Sequence, residues 1–127
     1  MSKTILITGG AGFIGSEVVS QLVKHGAKVT VLDNFSTGRH ENLDHVRKKI
    51  KLVECDLGIK GNWIQHFTNV DWVIHLAALA DIVPSIQQPE SYFKSNVCGT
   101  FNVLQAAKDS SVKRFIFSAS SSCYGIP

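Results

Sequence analysis

The segment Thr8-Gly9-Gly10-Ala11-Gly12-Phe13-Ile14-Gly15 gathers glycines at a spacing suited to one chemistry, the close approach of backbone N–H groups to a diphosphate. Gly9 and Gly12 are expected to allow the tight turn and bare the N–H groups, and Gly15 to let a following helix pack against the preceding strand. That helix would direct its positive N-terminus at the phosphates. The spacing also reads as Gly-x-Gly-x-x-Gly from Gly10, which leaves the subtype of nucleotide site open. No Gly-Lys-Ser/Thr follows, so a P-loop is excluded. Asp33 comes close to the distance of about 20 residues at which a carboxylate accepts ribose hydroxyls, an arrangement that favours NAD. A 2′-phosphate would meet a like charge there, although Arg39 is near enough to keep NADP open. Asn34 and Ser36 beside it suit a turn aspartate equally well.

Other reactive side chains form no pattern. His25, His40, His45, His66 and His75 lack metal-ligand spacing; His75 alone ends a strand near the expected crevice, and it reads as structural. Cys55, Cys98 and Cys123 belong to no Cys-x-x-Cys pair, which argues against a disulfide framework or a zinc site and for reduced thiols in a cytoplasm. No metal is expected. Arg47, Lys48, Lys49 and Lys51 read as a solvated face.

To set the glycine segment beside Asp33, the chain must alternate strands and helices. Short β-branched runs at 4–8, 28–33, 50–54, 72–75 and 114–118 are mostly apolar on both faces, the mark of a parallel sheet covered on both sides. Ile14, Val18 and Leu22 give the first helix its apolar stripe, and Lys24, His25 and Gly26 its stop. A longer helix is expected from Pro89 through Asn96, Thr100, Val103 and Ala107 towards Asp109. The pattern predicts an α/β fold, a Rossmann-type doubly wound parallel sheet of order 3-2-1-4-5, with its crevice between the first and fourth strands.

The 127 residues suffice for one domain and a core without staples. A 44% hydrophobic share sets the chain apart from disordered ones, and a net charge of +3 is too mild for a nucleic-acid footprint. The first residues hold no secretory apolar stretch and no run approaches a bilayer span, so a chain with neither membrane nor nucleic-acid partners is expected.

Six stretches appear in order across residues 2–125. They are the glycine segment, Asp33-Asn34-Phe35-Ser36-Thr37-Gly38-Arg39, Asp56-Leu57, His75-Leu76-Ala77-Ala78, Asn96-Val97-Cys98-Gly99-Thr100 and Ser118-Ala119-Ser120-Ser121-Ser122-Cys123-Tyr124-Gly125. Together they resemble the extended short-chain dehydrogenase/reductase family, in particular its nucleotide-sugar epimerases and dehydratases. The resemblance implies an NAD site. Phe13 and Ile14 would meet the pyrophosphate, Asp33 the ribose with Asn34, Ser36, Thr37 and Gly38 beside it, and Asp56 with Leu57 the adenine. Leu76, Ala77, Ala78 and Ala80 would line the dinucleotide past the fourth strand, Ala80 standing where epimerases often carry a lysine. Asn96, or Ser95 next to it, would support the nicotinamide side, and Ser120 would hydrogen-bond the reacting hydroxyl of a nucleotide-diphosphate sugar, a UDP-sugar above all.

The same resemblance implies an epimerase that passes the sugar C4 through a ketone, or else a 4,6-dehydratase or decarboxylase. It also implies a tyrosine with a lysine four residues on, which the sequence does not contain: Asn96 stands four after Tyr92, and Tyr124 lies three from the last residue. The expectation is a binding domain over residues 1–127 that lacks the catalytic helix and sugar lobe and is inactive alone. An exposed apolar fifth strand at 115–117, and a long helix through which family members dimerise, imply a homodimer or other self-association. A reading of another class is a non-catalytic NAD-binding module that acts through a protein partner.

Overall fold

The computed structural model describes residues 2–126. Five parallel strands, β1 (Thr4–Thr8), β2 (Lys28–Asp33), β3 (Ile50–Glu54), β4 (Trp72–His75) and β5 (Arg114–Phe117), form one sheet of order β3-β2-β1-β4-β5. Strand order therefore reverses between β1 and β4, as the sequence predicts, and the strands fall where the β-branched runs lie except that β5 stops one residue early. Helix α1 (Phe13–Lys24) follows β1 and ends at the basic and glycine signal, with Gly26 N–H bonded to Val23 O and Ala27 N–H to Leu22 O, both at 3.0 Å. Two 3-10 helices, His40–Lys49 and Asn62–Phe67, make the next two crossings. Arg47, Lys48, Lys49 and Lys51 all face solvent.

Alternation along each strand splits the core in two. Leu6, Leu32 and Val73 point to one face and pack with Trp63, Phe67, Val103 and Ala107, while Ile5, Ile7, Val29 and Val31 point to the other and pack with Val19, Leu43 and Val46. β1, central in the sheet, is almost wholly buried on both faces. Among the described residues β5 is an edge strand with Ile116 and Phe117 exposed, the uncovered apolar edge that the sequence leads one to expect.

The long helix is not uniform. Between β4 and β5 the chain forms α2 (Ile82–Gln87), α3 (Pro89–Tyr92), a π-helical stretch Phe93–Cys98, and α4 (Gly99–Asp109). Pro89 opens the run as predicted, but the π stretch shifts the register partway along, a feature that recurs at functional sites. At the amino end of the sheet, Asp71 accepts the Thr4 N–H at 2.9 Å and the Lys113 ammonium at 3.0 Å, and the Trp72 ring lies between the Lys3 and Arg114 cations. Among the described residues no helix is long and apolar enough to cross a membrane, and no cluster of three or more His, Cys, Asp or Glu could hold a metal.

Candidate functional site

Where the strand order reverses, the carboxyl ends of β1 and β4 diverge and a cavity of about 680 Å³ opens, bounded by β2 on one side and β5 on the other. Its floor is the glycine loop. Gly9 has φ +72° and so close an approach to the chain after β4 that a Cβ would lie 2.7 Å from the Ala77 nitrogen. A Cβ on Gly15 would run into the Gly9 carbonyl, so this glycine lets α1 pack on the loop itself. Gly12 corrects the expectation: its φ is −78°, and a Cβ would meet the Gly9 carbonyl at an ordinary 3.4 Å. The turn does not need glycine there; the cavity beside it gains the space. Among the described residues no side chain caps α1, whose first turn meets the cavity with Phe13 and Ile14 exposed.

The end of β2 anchors this loop. The Asp33 carboxylate is buried; its Oδ2 accepts the Ala11 N–H and its Oδ1 the Phe35 N–H, each at 2.9 Å, so the turn role and a place in the cavity coexist. The Ala11 carbonyl in turn accepts the Arg39 N–H at 3.1 Å and the Asn42 amide at 2.8 Å. Asn34 folds its own turn through the Ser36 N–H at 3.0 Å, and Asn34, Ser36, Thr37 and Gly38 line the cavity. Arg39 is exposed and outside the lining.

Beyond β3, Asp56 accepts the Gly58 N–H at 2.9 Å and faces Lys94 at 3.8 Å, both side chains about half exposed and the pair correspondingly weak. Leu57 is buried and its carbonyl holds the Asn102 amide at 2.8 Å, tying this segment to α4. Cys55, expected only as a reduced thiol, also lines the cavity. Burial, with Asp33 and Asp56 nearby, pushes its thiol up to about 11, so it stays protonated and inert as a nucleophile near neutrality.

The chain after β4 supplies Leu76, Ala77, Ala78, Leu79 and Ala80. Asn96, on the π stretch with Ser95, spends its amide on Leu79: Oδ1 accepts the Leu79 N–H at 2.8 Å and Nδ2 donates to the Leu79 carbonyl at 2.9 Å. It supports the wall of the cavity that it borders. Ser120 lies at the open end after β5, where its Oγ accepts the Ser122 N–H at 3.1 Å and caps the 3-10 turn Ser121–Tyr124. Every residue singled out from the sequence as a site residue lines this one cavity.

His75 goes further than the structural part expected of it. It is 1% exposed, yet borders the cavity, with Nδ1 2.6 Å from the Thr8 hydroxyl and Nε2 2.8 Å from that of Thr100. The Thr8 oxygen also accepts the Leu76 and Ala77 N–H groups, both at 3.2 Å. Burial pushes the imidazole down to about 4. Thr100 was not singled out as a site residue; the signal available for the pair was that Thr8 and His75 are each a polar residue closing an otherwise apolar run.

Comparison with known proteins gives this arrangement a context. The model of the NAD dependent epimerase/dehydratase family matches residues 5–127. A UDP-glucose 4-epimerase of Lactobacillus helveticus is 38% identical over 125 residues, which cover 97% of this chain and 37% of that protein. Among solved structures, a UDP-N-acetylglucosamine 4-epimerase from Methanobrevibacter ruminantium, in complex with UDP-N-acetylmuramic acid, superposes with a TM-score of 0.90 at 36% identity over 98% of this chain and 40% of its own. A UDP-glucose 4-epimerase from Brucella ovis, in complex with NAD, does so at 0.88 and 33%, over 99% of this chain and 38% of its own. The chain thus spans about two-fifths of the length of these relatives.

Proposed function

The chain belongs to the NAD dependent epimerase/dehydratase family, and we propose that it is the NAD(H)-binding part of a nucleotide-sugar 4-epimerase that acts on a UDP-sugar. One observation carries this reading: the uncapped N-terminus of α1, the gap left by Gly12 and the Asp33 carboxylate all meet a single cavity at the strand-order reversal. The cavity also lies within the range of about 300 to 1,000 Å³ typical of cofactor sites.

In this reading the N–H groups at Phe13 and Ile14 hold the pyrophosphate, with Gly9 and Gly15 shaping the loop and Gly12, whose N–H is bonded to the Gly9 carbonyl, leaving space beside it. Asp33 keeps a lone pair on each oxygen for the ribose hydroxyls, while Asn34, Ser36, Thr37 and Gly38 flank that sugar. Asp56 and Leu57 border the adenine; Leu76, Ala77, Ala78 and Ala80 present small or apolar surface along the dinucleotide, and Ser95 with Asn96 backs its far end. Bound NAD would supply the acceptor and donor of hydride at the sugar C4. Ser120 would hydrogen-bond the reacting sugar hydroxyl and orient it. No tyrosine with a lysine four residues on is present to take that hydroxyl's proton, so these 127 residues are expected to bind without turnover.

Self-association and a cytoplasmic setting belong to the same reading. The first is supported by exposed Phe93, Val97, Phe101 and Leu104, spaced as one helical stripe, and the second by three free cysteines.

The test is a titration of the chain with NADH and NADPH. NADH should bind more tightly, and Asp33→Ala should weaken it about ten- to a hundredfold, the effect of about 1.5 to 3 kcal/mol lost with a charged hydrogen-bond acceptor. Equal affinities, or an NADPH preference that survives Asp33→Ala, overturn the ribose assignment; turnover of UDP-glucose by this chain overturns its assignment as a binding part only.

A further inference from the structure

We propose that His75 is a positioning residue for the dinucleotide cleft: as a neutral imidazole protonated on Nε2, it makes the Thr8 hydroxyl the acceptor that holds Ala77 against the glycine loop. The inference rests on the dinucleotide reading above and assigns a task within it. β1 and β4 run in register to the pair Thr8 and His75, and the backbone ladder ends with the Leu76 N–H on the Thr8 carbonyl at 3.1 Å. Past that rung β1 turns away into Gly9, and no β1 carbonyl continues the ladder. The Thr8 side chain takes the place of the missing rung, accepting the Ala77 N–H at 3.2 Å and sharing that of Leu76.

A hydroxyl that accepts two N–H groups must send its own proton elsewhere, and the acceptor in reach is His75 Nδ1 at 2.6 Å. With Nδ1 bare, the ring proton sits on Nε2 and is donated to Thr100 at 2.8 Å. The opposite tautomer would aim a third N–H at the Thr8 oxygen and leave the hydroxyl proton without this acceptor. Thr100 stands one helical turn beyond Asn96, whose amide grips Leu79. His75 therefore links the strand end, the glycine loop and the helix that backs the cleft wall. Packing alone does not call for histidine: its ring lies beside those of Phe115 and Phe117, with centroids 6.1 and 5.9 Å away, where a third phenyl ring would be at home.

The experiment compares the wild-type chain with Thr8→Val, Thr8→Ser and His75→Phe. NADH, which spans the cleft, and AMP, whose half of the site lies at Asp33 and Asp56, are titrated against each. Nitrogen-15 NMR of the ligand-free wild type reads the His75 tautomer between pH 6 and 8. The expected result is an Nε2–H ring, NADH affinity lower by about tenfold in Thr8→Val and His75→Phe with AMP changed by less than about twofold, and recovery in Thr8→Ser. An Nδ1–H ring, unchanged NADH affinity, or equal losses for NADH and AMP overturn the inference, equal losses marking a merely structural role. A wild-type chain that binds neither nucleotide sinks the dinucleotide reading instead; the ring tautomer, read without ligand, then judges the His75 arrangement by itself.

Discussion

Gly15→Ala should lower the stability of the chain by about 3 kcal/mol and reduce NADH affinity more than about a hundredfold. Helix propensity points the other way, because alanine in a helix interior is favoured over glycine by about 1 kcal/mol. The clash decides the sign. The added methyl would run into the Gly9 carbonyl and come within 2.8 Å of the Gly10 Cα, both backbone atoms that cannot rotate aside. α1 would have to lift, carrying away the N–H groups that face the cavity. Gly12→Ala supplies the contrast: its methyl meets only the Gly9 carbonyl at 3.4 Å, so the fold should tolerate it while the cavity loses space beside the pyrophosphate. Thermal melts and NADH titrations separate the two. Gly15→Ala should drop the midpoint by on the order of 10 °C and Gly12→Ala by little, with affinity lost in both. A Gly15→Ala melt at the wild-type temperature would show that the loop yields and that the contact carries no weight.

Acid should unfold the chain in a window set by His75. The imidazole is held down to about 4 in the fold and returns to about 6.5 in the unfolded chain. Above pH 6.5 both states are neutral and stability does not change. As pH falls from 6.5 towards 4 the unfolded chain takes up a proton that the fold refuses, so stability falls, by about 3 kcal/mol once pH is below 4. His66, also shifted down by burial and by Lys51, adds to the same slope. Asp71 acts in the next window: its carboxyl is held low by the Thr4 N–H and by Lys113, and its contribution is lost as pH falls below the ordinary carboxylate range. Urea midpoints measured from pH 7.5 to 4 test the first window. His75→Gln should flatten most of the slope, and a slope unchanged in that variant would place the titrating group elsewhere.

The sheet was legible because its strands are short apolar runs whose ends are marked by residues that cannot continue them, Gly9 after β1 and Gly26 before β2. The cavity was legible for a related reason, since its lining follows strand ends and strand order settles which ends converge. Other features leave no trace in local spacing. The π stretch keeps an apolar stripe, and the contact that its Asn96 makes with Leu79 exists only in three dimensions. The Thr8 to His75 bond joins residues 67 apart, so each looks like an isolated polar residue until β1 and β4 pair. Gly12 reads like its neighbours in the motif, though it borders open cavity where Gly9 and Gly15 clear room for the backbone. Asp33 suited a turn and a ribose equally in the sequence; in the fold it makes the turn and borders the cavity.

The two ends of the sheet are fastened by different forces. At the amino end, Asp71 grips Lys113 and the Trp72 ring lies between Lys3 and Arg114, contacts made at the surface between charges and an aromatic face. At the carboxyl end β1 and β4 are joined by the neutral chain from Thr8 through the buried His75 to Thr100. Dissolved salt screens the first set, over a distance of about 8 Å at physiological ionic strength, and has no charge to screen in the second. Ionic strength can therefore loosen the end of the sheet away from the cavity without relaxing the join between β1 and β4 beside it.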